Sequence, residues 1–224
     1  MVVLFSIWNM KTALANVVIG KQASLFRIVG QRMIDYAREI GAKHVIQTRT
    51  KYHPAHFAKF EVLRKMLHEG FDRMLFLDID IYVKPGAPNI FNHYDSAAFS
   101  EIPHPRPGFL RPGIAWIRDN LDPLWPADRY FNTGVMVLDQ ATVAEILAKF
   151  DQQGPMPGTF FEQDQLNFIM REVGFPKQRL DQQWNQGCRN EWASDEKLDE
   201  AYFLHANGVK DKAGVLTGLT YRYP

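Results

Sequence analysis

The sequence DRMLFLDIDIYV, from Asp72 to Val83, joins a continuous apolar run to a pair of aspartates. Four consecutive apolar residues, Met74 to Leu77, are typical of a strand that is covered on both faces of a sheet. Asp78 and Asp80 follow directly, and on an extended chain residues two apart point to the same side. Ligands of open α/β sheets collect at the carboxyl ends of the strands. The stretch therefore predicts a buried strand whose end carries two carboxylates that face one place.

This pair of carboxylates is a candidate metal site. Two adjacent carboxylates repel each other, and burial strengthens the repulsion. A divalent cation relieves both problems, and oxygen ligands favour Mg²⁺ or Mn²⁺, which also bind substrate phosphates. The structural alternative is that Asp78 and Asp80 are both exposed and cap the turn before Lys84-Pro85-Gly86.

Alternating strand and helix patterns surround this stretch. The apolar run Val2–Trp8 and the segment His44–Thr48 are predicted strands, and the residues between Trp8 and Ala23 are predicted to form a polar loop. Apolar residues recur at three- and four-residue steps from Ala23 to Gly41 and from Phe57 to Gly70, which predicts two amphipathic helices. This alternation is typical of a layered α/β domain.

The second half of the chain is less regular. The segment Glu101–Tyr130 holds six prolines and two tryptophans, so it is predicted to be a long irregular loop of the kind that often binds ligands. The other predicted elements are the strands Ser96–Phe99, Val135–Leu138 and Tyr202–Leu204 and the helices Ala141–Phe150 and Glu162–Val173.

Composition excludes several classes of protein. The 224 residues are 46% hydrophobic, which excludes disorder, and the net charge of +1 lacks the excess of basic residues typical of nucleic-acid binders. The single Cys188 cannot form an internal disulfide. No apolar stretch approaches the roughly 20 residues that cross a bilayer, and Val2–Trp8 is too short for a signal peptide. We therefore expect a cytoplasmic protein with no transmembrane segment and no nucleic-acid partner.

Four segments together resemble a known family. They are DRMLFLDIDIYV at 72–83, YFNTGVMVLD at 130–139, EQDQLN at 162–167 and HANGVK at 205–210. In this order they resemble the nucleotide-sugar glycosyltransferases of the GT-A fold, most closely the family 8 type that includes glycogenin and bacterial galactosyltransferases.

The resemblance implies a single α/β domain over residues 1–224 with a Rossmann-like, mostly parallel central sheet flanked by helices. About residues 1–83 would form the nucleotide-binding half and about 84–212 the acceptor-binding half, with 213–224 as a C-terminal tail. The resemblance also implies that Asp78, Asp80 and His205 bind Mn²⁺ (or Mg²⁺), which bridges the donor diphosphate. For His205 alone, a buried imidazole with no ligand is the structural alternative.

The segment after His205 departs from the family pattern, which usually runs His-x-x-Gly-x-x-Lys. Gly208 matches the glycine, and its small size lets backbone approach a phosphate. Asp211 stands at the lysine position, flanked by Lys210 and Lys212. One of these two lysines is expected to neutralise the diphosphate, and the sequence does not choose between them.

The resemblance implies further donor contacts. Ser6 and Trp8 would hold the base, Lys59 would contact the phosphate or the sugar, and Asn132 and Thr133 would line the sugar pocket. The structural alternatives are a tryptophan in the core, a solvated lysine on a helix, and a simple turn that leads into a strand.

The same resemblance places Glu162, Gln163 and Asp164 beside the reacting carbon of the sugar as catalytic residues. Glu162 stands where the family usually has aspartate. The structural alternative is that the carboxylates complement the dipole at the start of a helix. The proline- and tryptophan-rich segment 101–130 is the candidate acceptor site, because aromatic faces pack against sugar rings.

The predicted function is therefore metal-dependent hexosyl transfer from a nucleoside-diphosphate sugar, with UDP favoured, to a hydroxyl of a glycan or glycoconjugate, with retention. One alternative is a phosphatase of the haloacid dehalogenase type, in which the first Asp of Asp-x-Asp is the nucleophile. That pattern requires Thr or Val where this chain has Tyr82. Another alternative is a nucleotide-sugar-binding protein without turnover.

Overall fold

In the part of the chain that the structure describes, a sheet of six strands is central, and a second sheet of three strands carries His205. The computed structural model describes residues 10–101, 112–126, 129–174, 178–189 and 193–224. The strands of these residues are β1 Thr12–Val17, β2 Lys43–Gln47, β3 Arg73–Leu77, β4 Ile81–Val83, β5 Ala98–Glu101, β6 Phe131–Asp139, β7 Gln178–Arg179, β8 Gln186–Gly187 and β9 Phe203–His205. The helices are α1 Ala23–Glu39, α2 Ala58–His68, α3 Pro112–Asn120, α4 Gln140–Gln153, α5 Glu162–Glu172, α6 Asp195–Glu200 and α7 Lys212–Arg222.

The large sheet has the strand order β2-β1-β3-β6-β5-β7. Three of its pairings are parallel, β1 with β2, β1 with β3 and β5 with β7. Strand β6 runs antiparallel to both of its neighbours, β3 and β5. The predicted α/β class with a central, mostly parallel sheet flanked by helices is thus confirmed.

Both faces of β3 are covered, which explains why its sequence is continuously apolar. Leu75 and Leu77 pack with α1 in one hydrophobic cluster. Met74 and Phe76 point to the other face and pack with residues of α2, α4 and α5. Side chains of a strand alternate between the two faces, so a strand covered by helices on both sides needs apolar residues at every position.

Strand β1 was not expected, because the sequence from Lys11 to Gln22 predicts a polar loop. Four of its six residues are nevertheless buried, and they include Asn16. The Asn16 side chain donates to the Leu77 carbonyl at 2.7 Å, so its amide is satisfied inside the sheet. The polar Asn16, whose partner is a carbonyl inside the sheet, is the reason that the sequence did not indicate this central strand. The predicted strand Val2–Trp8 lies outside the described residues.

Helix α3 corrects a second prediction, that of an irregular loop over residues 101–130. Pro112 is the first residue of the helix, where a missing N–H group does no harm. Ile114 and Ile117, three residues apart, are fully buried. Residues 102–111 and 127–128 of the predicted loop lie outside the described part of the chain.

The small sheet has the order β4-β9-β8 and begins just after the aspartate pair. Strand β4 runs antiparallel to β9, with Ile81 opposite His205. Strand β8 runs parallel to β9, with Gly187 opposite His205. Residues 212–222, most of which were expected to be a tail, form α7. Among the described residues, we find no helix with the length and apolar character needed to span a membrane.

Candidate active site

Asp78 and Asp80 lie in the turn that joins the two sheets. The Ile81 N–H group donates to the Asp78 carbonyl at 3.2 Å and closes this turn. The sequence spacing predicted that the two residues lie on an extended chain. They lie in a turn instead, which still brings the two carboxylates together. Asp80 is buried, so the alternative of two exposed capping residues does not describe it. Asp78 is half-buried, with 35% of its side chain exposed.

His205 joins these two carboxylates from the end of β9. Its Nε2 atom lies 3.2 Å from Asp80 Oδ1, and the imidazole is buried. One ligand atom from each of Asp78, Asp80 and His205 lies within 4.8 Å of the other two. We call these three residues the Asp–Asp–His centre. Its geometry follows from the backbone, because Ile81, the residue after Asp80, pairs with His205 in the small sheet.

The donor set of the centre fits a divalent cation. Carboxylate oxygens suit Mg²⁺ and Mn²⁺, and imidazole is a common ligand of divalent transition metals. Gly134 leaves space beside the centre, since a Cβ atom there would lie 2.4 Å from His205 Cε1 and 3.1 Å from Asp78 Oδ2. Burial alone would raise the pKa of Asp80, but the nearby His205 and Lys212 lower it below its usual range. Asp80 is therefore held ionised, as a metal ligand must be.

Of the two candidate lysines, Lys212 reaches the centre. It is the first residue of α7, and its Nζ atom lies 2.5 Å from Asp80 Oδ2. Lys210 is exposed. Gly208 has a φ of +64°, a conformation that favours glycine, and it lies in the turn between β9 and α7.

Lys59 is buried beside the centre and is not the solvated helix lysine of the structural alternative. Its side chain is 4% exposed, and its ammonium group lies 2.9 Å from Glu162 and 3.3 Å from Asp78. It also donates to the Thr133 carbonyl and hydroxyl, at 3.1 Å each. Burial alone would lower the pKa of Lys59, but Asp78 and Glu162 raise it. The lysine is therefore a counterion for two carboxylates.

Glu162 is a buried carboxylate that shares the Lys59 counterion with Asp78. Burial and the charge of Asp78 raise its pKa, although Lys59 opposes them. Lys59, Asp78 and Glu162 together carry two carboxylates and one ammonium group, so one negative charge is left over beside Lys59. An incoming cation or a hydroxyl donor would be favoured there.

Amide side chains connect this region to the start of β6. Gln163 Oε1 accepts from the Asn132 side chain and from the Thr133 N–H group, at 3.3 Å each. Asn132 Oδ1 accepts from the Gly134 N–H group at 2.9 Å and from Asn185 Nδ2 at 3.0 Å. Asn132 and Thr133 thus lie inside strand β6, where the sequence left open a simple turn.

Asp164 is fully buried, and its oxygens are engaged elsewhere. The Tyr130 hydroxyl donates to Oδ1, and the Phe160 N–H group donates to Oδ2 at 2.7 Å. Burial raises the pKa of Asp164. No hydrogen bond or ion pair in the described ranges joins Asp164 directly to the Asp–Asp–His centre. Gln163 links the two regions, since its Nε2 donates to the Tyr130 hydroxyl at 3.1 Å.

Some residues of this region were not predicted from the sequence. Asn185 contacts His205 and was not predicted, because nothing in the sequence QQWNQG marks it as functional. Phe160 and Phe161 are exposed aromatic residues directly before Glu162, and His56 stacks on Phe161 with ring centroids 4.9 Å apart. Ser6 and Trp8 lie outside the described residues.

Replacing Gly134 with alanine is expected to displace the His205 imidazole. The new Cβ atom would overlap with His205 and Asn132, so we expect a loss of about 1–3 kcal/mol in the free energy of unfolding. We also expect weaker Mn²⁺ binding, measured by electron paramagnetic resonance. Gly218→Ala in α7 is the matched control, because a Cβ atom there meets nothing within 4 Å. Equal effects of the two substitutions would contradict the expected crowding at Gly134.

Comparisons with known proteins support the fold assignment. No protein-family model matches the sequence, and no curated protein matches it. Among solved structures, a glycosyltransferase involved in glycosylation of the major capsid of PBCV-1 superposes with a TM-score of 0.60 at 16% identity, over 94% of this chain and 99% of that one. Mouse xyloside xylosyltransferase 1 superposes with a TM-score of 0.52 at 14% identity, over 89% of this chain and 98% of that one.

The bifunctional glycosyltransferase WbbM gives a TM-score of 0.62 at 13% identity, over 90% of this chain. The match spans 46% of the WbbM chain. Identities this low establish a shared fold. The chain therefore has an α/β fold like that of glycosyltransferases of known structure, and the Asp–Asp–His centre lies where its two sheets meet.

Proposed function

We propose that the protein transfers a hexosyl group from a nucleoside-diphosphate sugar, with UDP favoured, to a hydroxyl of a glycan or glycoconjugate. We assign it to the family 8 type, with retention of configuration. The observation that carries the proposal is the meeting of Asp78, Asp80 and His205 in a glycosyltransferase-like fold. These residues would hold Mn²⁺ or Mg²⁺, whose positive charge would offset the charge of the diphosphate.

The chain itself supplies further groups for the diphosphate. Negative charge grows on this leaving group as the glycosidic bond breaks, and fixed positive charge nearby lowers the barrier. Lys212 is the candidate for this role because its ammonium group is already at Asp80. The turn at Gly208 offers backbone N–H groups, and the Arg189 side chain packs beside it. Ser6 and Trp8 stay our candidates for the base.

Lys59 takes an indirect role in this proposal. Its ammonium group has four acceptors around it for three protons, so no proton is left for a phosphate. We assign it to holding Asp78 and Glu162 in place, next to Thr133. The resemblance implied that Lys59 contacts the donor directly. We propose instead that it supports the residues that contact the donor.

The sugar would lie against the amides and Glu162. Asn132 and Gln163 offer donors and acceptors suited to hydroxyl groups. We assign Glu162 and Gln163 to the side that faces the reacting carbon and Asp164 to support of Gln163 through Tyr130. The exposed rings of Phe160 and Phe161 are candidate contacts for the acceptor, together with segment 101–130.

A thermal-shift screen of nucleotides with and without Mn²⁺ tests the proposal. A ligand present at 100 times its Kd stabilises the native state by about 2.7 kcal/mol. For a chain of 224 residues this raises Tm by about 5–10 °C. We expect such a shift with UDP only when Mn²⁺ is present, and release of UDP from a UDP-sugar when an acceptor is added.

Three other outcomes would contradict the proposal. A UDP shift that is the same with and without Mn²⁺ would remove the metal from donor binding. Phosphate release from p-nitrophenyl phosphate without a sugar donor would favour the phosphatase. Metal-dependent UDP binding, with no hydrolysis or transfer from a panel of UDP-sugars, would favour a binding protein.

A further inference from the structure

A chain of hydrogen bonds runs from the backbone of β6 to the imidazole of His205. The Gly134 N–H group donates to Asn132 Oδ1 at 2.9 Å. Asn185 Nδ2 donates to the same oxygen at 3.0 Å. Asn185 Oδ1 then lies 2.8 Å from His205 Nδ1. Each member is thus linked to the next by one close polar contact.

The direction of every bond in this chain follows from its first member. A backbone N–H group can only donate, so the Asn132 atom that faces it must be the amide oxygen. The Asn185 atom that faces this oxygen must then be the amide nitrogen. The Asn185 oxygen is consequently turned to His205 Nδ1, which must carry a proton in order to donate to it.

A second backbone group supports the same direction. The Thr133 N–H group donates to Gln163 Oε1, so this atom is also an oxygen. The Asn132 atom that faces Gln163 Oε1 is therefore a nitrogen, at 3.3 Å. Both ends of the Asn132 amide are thus assigned independently, and they agree.

We infer that Asn185, held by Asn132, is a positioning residue that keeps the proton of a neutral His205 on Nδ1 and leaves Nε2 free to bind a metal. Asp80 acts in the opposite direction, because its Oδ1 atom 3.2 Å from Nε2 attracts a proton to that nitrogen. A proton on Nε2 would block the ligand position. The inference rests on the proposed function, since it describes the metal centre of that function.

A second histidine, His44, serves as a reference because the opposite ring nitrogen contacts an asparagine oxygen. Asn16 Nδ2 donates to the Leu77 carbonyl at 2.7 Å, so Asn16 Oδ1 is the atom that lies 2.6 Å from His44 Nε2. His44 therefore carries its proton on Nε2. The two histidines should differ in tautomer although each contacts an asparagine oxygen.

Nuclear magnetic resonance of ¹⁵N-histidine-labelled protein distinguishes these tautomers directly. In metal-free protein at alkaline pH, where imidazoles are neutral, we expect His205 to carry its proton on Nδ1 and His44 on Nε2. In Asn185→Leu, we expect the His205 proton to move to Nε2, towards Asp80. Asn185→Asp keeps an acceptor beside Nδ1 but loses the nitrogen that donates to Asn132 Oδ1, so we expect the proton to return to Nδ1 without the bond to Asn132. Asn16→Leu is the matched control and should change only the signals of His44.

Mn²⁺ affinity provides the second measurement. Loss of a partner that orients a ligand typically lowers metal affinity about 10–100-fold, and we expect this for Asn185→Leu. Asn185→Asp should bind Mn²⁺ about 10-fold more tightly than Asn185→Leu. A merely structural role would lower the melting temperatures of both variants and leave the His205 tautomer unchanged.

Two outcomes separate this inference from the proposed function. If wild-type His205 carries its proton on Nε2, or if Asn185→Leu keeps the wild-type tautomer, the inference is wrong whether or not metal binds. If His205→Ala binds Mn²⁺ as tightly as the wild type, the proposed metal centre is wrong, and any effect of Asn185 on metal affinity is excluded with it.

Discussion

Asp80→Asn is expected to abolish Mn²⁺-dependent binding of UDP and to lower turnover of a UDP-sugar by about 10³-fold. The substitution keeps the shape of the side chain but removes its charge. Asp80 contacts two basic side chains, His205 at 3.2 Å and Lys212 at 2.5 Å. Without this charge, the remaining pair of Asp78 and His205 is a weak site for a hard cation. Thermal shift with UDP and Mn²⁺, together with the rate of UDP release, measures the effect.

Asp72→Asn is the matched control for this substitution. Asp72 immediately precedes β3, at the end of that strand opposite to the centre, and accepts from the Lys11 N–H group at 2.7 Å. The same change of charge there should leave UDP binding and turnover at wild-type levels. Unaltered Mn²⁺-dependent binding of UDP by Asp80→Asn would exclude the Asp–Asp–His centre as the site of the cation.

The second large effect concerns stability. Lys59→Met is expected to lower the free energy of unfolding by about 3–5 kcal/mol, because it leaves Asp78 and Glu162 partly or wholly buried without their shared counterion. For a chain of this length, the loss corresponds to a fall in Tm on the order of 10 °C. Urea unfolding at neutral pH measures the free energy directly.

Two further variants make this result specific. Lys65 is an exposed lysine on the same helix, and Lys65→Met should change the free energy of unfolding by no more than about 0.5 kcal/mol. The double variant Lys59→Met/Glu162→Gln should recover part of the lost stability, since it also removes one stranded carboxylate. If Lys59→Met is as stable as Lys65→Met, the ion pairs of Lys59 contribute nothing measurable.

Much of the fold could be predicted from the sequence because its elements have simple periodicity. The apolar run before Asp78 follows from burial on both faces of β3, and the helical spacing of α1 and α2 follows from burial of one face of each helix. Strand β1 could not be recognised, because Asn16 is polar and its internal partner is a carbonyl of another strand. Helix α3 was concealed by prolines, although Pro112 sits at its first residue.

The candidate site was predictable only in part. The carboxylates Asp78 and Asp80 are adjacent in sequence, so a local pattern identifies them. His205 was identified by family resemblance alone, because its approach to Asp80 depends on the pairing of β4 with β9. No local sequence pattern identifies Asn185, because its partners Asn132 and His205 come from other elements. The choice of Lys212 over Lys210 depends on where α7 begins.

The pairing of Ile81 with His205 makes the centre depend on strand alignment. A shift of β9 by one residue would turn the imidazole to the opposite face of the small sheet. Insertions in surface loops between the two strands leave this alignment intact, whereas a single deletion within β4 or β9 destroys it. The loops between β4 and β9 can therefore change in length without disturbing the Asp–Asp–His centre.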